Sequence, residues 1–307
     1  MLSVFGDLKH LVKYKKSLIN NSTFKLHYKF TFTILCIFSV IQTLSQHLGD
    51  PIICSAIDAK NFHKDLVNTY CWIHGTYIIK QPTGKFSLGQ DRTNGLRRSQ
   101  YWYQWVIFVL FFQALLCYLP HFLWKNLEGG RISMLLQDLP SRTLDTDGEA
   151  IQNKRHMVVR YILRNVGTHN FYAAQFIICE FLNLVNIIAQ MFFMDQFFNG
   201  HFTTYGAEIL TISNTEMEKR VDPMAKIFPK LSKCTFHRYG PSGTIVNHDG
   251  KLFKSLSSFL TYLSGLCILP LNIINEKIYV FLWFWFMILI GWTCIFFCFR
   301  IVTIVSR

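Results

Sequence analysis

Residues 101–124 read YWYQWVIFVLFFQALLCYLPHFLW, and only Gln104, Gln113, Pro120 and His121 interrupt the run of aromatic and aliphatic side chains. A helix needs about 20 mostly apolar residues to cross the hydrocarbon of a bilayer. The stretch therefore predicts a membrane span at 103–123. Three further segments meet the same condition: 28–46, 173–195 and 278–300. Tyr and Trp gather near the ends of the second and fourth runs. That pattern predicts Trp102, Tyr103 and Trp105 at the level of the lipid headgroups, rings in the apolar layer and donors in water.

Composition points the same way. Of 307 residues, 51% are hydrophobic and only 16% charged, with 29 Phe; an ordinary soluble domain carries about 25% charged residues. The net charge of +13 raises the question of nucleic acid. The cations are scattered between apolar runs, with no basic helix and no RNA-binding signature, so nucleic acid is excluded as a partner.

Five lysines before the first span (Lys9, Lys13, Lys15, Lys16, Lys25) against the single acid Asp7 favour a cytoplasmic N-terminus. Four spans then return the C-terminus to the cytosol. This divides the chain into a cytoplasmic segment 1–27, an outer loop 47–102, an inner loop 124–172, an outer loop 196–277 and a short inner tail 301–307. Residues 1–25 are too polar for a cleavable signal peptide. The sequons at Asn20 and Asn21 fall on the inner side, where glycans are not added.

Nine cysteines separate into two classes. Cys36, Cys117, Cys179, Cys294 and Cys298 lie in apolar runs, whereas Cys54, Cys71, Cys234 and Cys267 lie in polar segments, two in each outer loop and none in the inner loop. An oxidising exterior favours disulfides for the second class, and four cysteines allow three pairings. Cys54, His63, Cys71 and His74 also combine zinc-ligand types, but the gap between the cysteines is too wide for a zinc knuckle. Disulfides are expected, and neither metal nor cofactor. The double glycine of LEGGR (127–131) and the PTGK of 82–85 lack phosphate-loop spacing. No nucleophile–base motif is present, so no enzyme and no catalytic residue is expected.

The motif YWYQWV at 101–106 resembles the YYQWV signature of the innexins, the invertebrate gap-junction proteins, through Tyr101, Tyr103, Gln104, Trp105 and Val106. The resemblance extends through NNSTFKLHYKF, GDPIIC, NTYCWIHGTY, FFQALLCYLPHFLWKNLEGGRISML, FPKLSKCTFHRYGPSGT and CILPLNIINEKIYVFLWFWF. These blocks span almost the whole chain. The resemblance implies an all-α, four-span membrane subunit with a disulfide-braced outer domain containing short strands. It implies a ring, an octamer, of like or mixed innexin subunits in the plasma membrane, docked at cell–cell junctions on a ring of the neighbouring cell and passing ions and small metabolites. It also implies the pairings Cys54–Cys267 and Cys71–Cys234.

The N-terminal stretch has apolar residues at 1, 4, 5, 8, 11 and 12, which is helical spacing on one face. In the family it folds into the pore mouth, which makes Asp7, Lys9 and Lys13 candidate pore charges. On the third span Glu180, Asn183, Asn186 and Gln190 share one face. The stripe serves either interhelical packing or a wet pore wall; packing is favoured, with Glu180 as the pore candidate to test. Pro120 should kink the second span, for packing or for gating.

Residues 251–265, KLFKSLSSFLTYLSG, depart from the family pattern, in which HDG runs almost directly into LC. Read as protein, Leu252, Leu256, Phe259, Leu260 and Leu263 form one face of a helix; read as a gene, the segment is a retained intron. A real insert favours an undocked hemichannel. A non-conducting adhesion or scaffold protein is the alternative from another class, and a carrier is disfavoured because no internal repeat is present.

Overall fold

The computed structural model describes residues 21–56, 64–80, 86–87, 96–136, 149–165, 167–212, 227–236 and 263–306. In chain order these form helix α1 (Ser22–Leu48), strand β1 (Ile53–Ala56), helix α2 (Lys64–His74), strands β2 (Thr76–Lys80), β3 (Phe86–Ser87) and β4 (Leu96–Gln100), helices α3 (Val106–Glu128), α4 (Arg131–Leu136), α5 (Glu149–Arg164), α6 (Asn170–Phe197) and α7 (Tyr205–Ile212), strands β5 (Leu231–Phe236) and β6 (Leu263–Ile268), and helix α8 (Pro270–Val305).

Four of these helices, α1, α3, α6 and α8, are long and apolar enough to cross a membrane. Each outruns its apolar core: α6 starts at Asn170 and α8 covers 270–305. A helix ends where caps and turns allow, not where hydropathy falls. Asn21 opens α1 by accepting from the Ser22 amide at 2.7 Å. Pro270 opens α8, where its missing N–H and fixed φ cost nothing. At the far end of α6, Asn199 and Gly200 turn left-handed (φ 56° and 78°) and the Gly200 amide donates back to the Asp195 carbonyl at 2.7 Å. The Asp195 carboxylate then accepts from the Phe202 and Thr203 amides at 3.0 and 2.9 Å, fixing the next turn.

The double glycine of LEGGR acts by backbone shape. Gly129 and Gly130 are left-handed (φ 60° and 78°), and the buried Glu128 carboxylate accepts from the amides of Gly130 (2.8 Å) and Ile132 (2.7 Å). Glu128 thus caps α4 from the end of α3, satisfying donors that a helix start otherwise leaves open.

The chain divides into two compact units: Met1–Ile34, Ala114–Ile188 and Leu289–Arg307 in one, Leu35–Gln113 and Ala189–Ile288 in the other. The second holds a six-stranded antiparallel sheet of order β1-β6-β5-β2-β3, with β4 also on β2. Its core gathers Ile52, Val67, Tyr103 and Leu269 around Cys54, Cys71, Cys234 and Cys267. In the first unit Phe24, Trp124 and Cys179 form a core flanked by Tyr28, Tyr172 and Phe176.

Three expectations change. The basic helix missed in the sequence is α5: its exposed residues include Arg155, Arg160 and Arg164, beside exposed Met157, Val159, Ile162 and Leu163. The scatter of cations along the chain concealed their convergence on sixteen helical residues. The helix expected across 252–263 is a strand where it is described, since Leu263, Ser264 and Gly265 begin β6 opposite Phe236, Thr235 and Cys234. Pairing with β5, joined by β1 at Gly265, overrides the local periodicity there; residues 251–262 lie outside the described residues. The third change concerns the aromatic knot and belongs to the site.

Candidate functional site

The sheet presents two unlike faces because successive side chains alternate. Cys54, Ser232, Cys234, Gly265 and Cys267 point to the buried side, where α2 lies. Cys54 stands directly opposite Cys267 on adjacent strands, and the two are bridged. Cys71 of α2 is bridged to Cys234 of β5. The sulfurs of Cys54, Cys71 and Cys267 lie within 4.8 Å of one another, so both bridges occupy one core. With Cys54 and Cys71 spent in disulfides, no thiolate remains there for zinc, and His74 stacks on Tyr70 instead (5.2 Å, 19°); His63 lies outside the described residues. The other five cysteines form no disulfide.

On the other face Ile53, Leu231, Leu266 and Ile268 are exposed, at 45%, 39%, 40% and 46%. The register places Ile53 and Leu231 on either side of Ile268, one apolar row across three strands, with Leu266 two residues along β6 on the same face between Ser55 and Lys233.

The motif YWYQWV joins this core. Tyr103 is 1% exposed and its ring lies 4.9 Å from that of Trp72. Gln104 Nε2 donates to the Trp72 carbonyl. Trp102 meets Phe198 and Phe228 edge-on at 5.2 Å, and its indole N–H donates to Gln100. Val106 is buried, whereas Tyr101 and Trp105 are exposed. The interfacial belt expected of Trp102, Tyr103 and Trp105 is therefore corrected. Only Trp105 is free to occupy it; Tyr103 and Trp102 pack against aromatic partners remote in sequence. Burial pushes the Tyr103 phenol up to about 12. Gly75 is left-handed (φ 82°), and a Cβ there would lie 2.3 Å from the Tyr101 ring, so the motif also demands a glycine beneath it.

A buried polar chain ties α1 to the start of α8. Gln42 Nε2 donates to Asn275, Asn275 Nδ2 to Asn272 Oδ1 at 3.3 Å, and Asn272 Nδ2 to the Pro229 carbonyl at 2.9 Å. Beside it the Glu276 carboxylate, buried, lies 3.1 Å from Lys230 Nζ and 2.8 Å from Lys277 Nζ.

The polar stripe of α6 is interior. Glu180, Asn183 and Gln190 are 0–1% exposed and Asn186 is half-buried. The Glu180 carboxylate is ion-paired with Arg300 and accepts from Asn21 Nδ2 at 3.1 Å. Within its own subunit Glu180 has no exposed surface, which supports the packing reading of the stripe over a wet pore wall. Asn21, read as a silent sequon, is its structural partner. On α1 His27 lies in a π-helical turn, Leu26–Thr31, with Nε2 3.0 Å from Thr293 Oγ1. Pro120 is buried within α3, and His121 stacks on Tyr28 at 3.8 Å. Asp7, Lys9 and Lys13 lie outside the described residues.

The family model for innexins matches residues 20–307. The chain belongs to the innexin family. Among its relatives, innexin inx2 of Drosophila melanogaster is 43% identical over 302 residues, covering 94% of this chain and 76% of the relative. Innexin inx2 of Schistocerca americana is 44% identical over 316 residues (99% and 81%), and innexin shaking-B of Drosophila melanogaster 40% over 315 residues (100% and 80%). The innexin described here is accordingly a multi-pass membrane protein of gap junctions, a channel subunit that assembles with other innexin subunits, and not an enzyme.

Proposed function

We propose that eight copies, alone or with other innexins, close a ring in the plasma membrane, and that the ring docks on its counterpart in the adjacent cell to pass ions and small metabolites. In this reading both termini are cytosolic, and segments 47–102 and 196–277 face outward. One observation carries it: two disulfides in a single core brace a sheet built from both of those segments, and that sheet exposes an apolar row, Ile53, Leu231, Leu266 and Ile268. A rigid surface binds without the ordering penalty of flexible loops, and a contiguous apolar patch seeks a covering partner. Asp7, Lys9 and Lys13 are assigned to the pore mouth, where they would bias which ions pass.

Paired-cell recording tests the reading. Junctional current between two expressing cells supports it. Dye uptake by single cells without junctional current would establish an undocked hemichannel, and neither signal from surface-expressed protein would leave a scaffold. The same pairing with residues 251–265 deleted tells whether that segment obstructs docking.

A further inference from the structure

In the unit formed by the ends of α3, α6 and α8, a cavity of about 450 Å³ opens between α4, the last turn of α5 and the first turn of α6. Arg131 and His169 supply cationic and donor groups; Ile132, Ile162, Tyr161 and Tyr172 supply apolar walls. The volume falls in the range of sites for small organic ligands, roughly 300–1,000 Å³, and far exceeds what an inorganic anion needs. Its place along the chain is informative. Arg131 lies three residues beyond α3, and Tyr172 belongs to the first turn of α6, both candidate membrane spans. A cavity between span ends lies within reach of headgroups, and basic pockets of this kind suit anionic lipid.

The chemistry narrows the ligand. Among the described residues no carboxylate lines the cavity. The nearby Glu128 is occupied by two backbone amides. A cationic choline or ethanolamine therefore finds no counter-charge, and the Tyr172 ring already carries Arg131 over its face at 5.9 Å. The Tyr172 hydroxyl is buried and has no hydrogen-bond partner among the described residues, which leaves a donor for an anionic oxygen. The neighbouring α5 also exposes Arg155, Arg160 and Arg164, none of which lines the cavity.

We propose that this cavity binds an anionic bilayer phospholipid, with the phosphate held by Arg131, His169 and Tyr172 and the glycerol and upper acyl chain against Ile132, Ile162 and Tyr161. The readout is lipid binding, so the proposal stands or falls independently of docking or conduction.

The test uses the purified full chain in detergent, titrated with short-chain phosphatidylglycerol or phosphatidylcholine and read by mass spectrometry of the intact complex. Phosphatidylglycerol should bind at least tenfold more tightly. Arg131→Ala should weaken it about tenfold or more, the loss of one charge-assisted contact. Ile162→Trp fills the cavity without removing charge and should abolish binding. Arg160→Ala, two positions from Ile162 and so on the far side of the helix, should stay within about twofold of wild type. Equal binding of both lipids would overturn the proposal, as would wild-type affinity in both Arg131→Ala and Ile162→Trp. An equal loss in Arg160→Ala and Arg131→Ala would reduce the effect to diffuse charge. Displacement of the lipid by millimolar inorganic phosphate would assign a soluble-anion site instead.

Discussion

Removing Arg300 should harm this innexin more than neutralising Glu180, although the two form one ion pair. The asymmetry follows from burial: the Glu180 side chain is 0% exposed and that of Arg300 is 34% exposed. Arg300→Met leaves a buried carboxylate with Asn21 as its remaining donor, and orphaning one member of a buried pair costs about 3–5 kcal/mol. Glu180→Gln leaves a guanidinium that still reaches water and rests over the Phe176 ring at 4.9 Å. The glutamine can keep the bond to Asn21, so the loss is nearer 1 kcal/mol. The double variant removes both charges and should recover most of what Arg300→Met loses. Each protein is heated for a fixed time in detergent and the surviving oligomer measured by size exclusion, because large membrane assemblies seldom unfold reversibly. The expected order of midpoints is wild type, Glu180→Gln, double variant, Arg300→Met. Glu180→Gln falling as far as Arg300→Met would refute the reasoning. So would Glu180→Gln with an unchanged midpoint but altered charge selectivity, which would put the carboxylate in the pore.

Other perturbations test other parts. Cys71→Ala with Cys234→Ala opens a bridge across a separation of 163 residues; the expected loss is about 2–5 kcal/mol, seen as depleted surface oligomer on blots. Gly206→Ala sets a Cβ 2.1 Å from the Trp283 ring and should cost about 1–3 kcal/mol by overpacking, with Trp283→Leu relieving it in the same melt. Leu266→Asp on the exposed row should leave both disulfides intact on non-reducing gels yet weaken assembly or junctional current. For Tyr103 the folded phenol is raised from 10.0 to about 12, so its contribution is complete below pH 10 and is lost as pH climbs from 10 toward 12. Tyr103→Phe should therefore flatten the alkaline fall of stability across that window.

The spans were legible because lipid imposes a length and a polarity on any helix that crosses it, and few other structures produce four such runs. The sheet was legible only through the family: spacing alone left three pairings for Cys54, Cys71, Cys234 and Cys267. What stayed hidden depended on distant partners. Aromatics at a span end fit either a headgroup layer or a core; Trp72 decides for Tyr103, and Phe198 and Phe228 for Trp102. The stripe on α6 favoured packing, but the partners of Glu180, 120 and 159 residues away, could not be read from it. The Glu128 cap did leave a local trace, an acid just before two glycines and a short helix.

The register of β6 bears on the unusual segment. Gly265 sits opposite Ala56 and Cys234, and removing 251–265 would bring Gly250 to the same position before Leu266. Either form offers glycine there, so the shortened chain should keep both disulfides, which peptide mapping would check.

Most of the sheet's ladder is postponed in time. During synthesis β1, carrying Cys54, leaves the ribosome early, but its ladder partner among the described residues, β6, and its sulfur partner, Cys267, follow 213 residues later. Cys71 waits for Cys234 in the same way. Until the last helix is being made, the nascent chain holds an unbridged Cys54 and an unzipped strand.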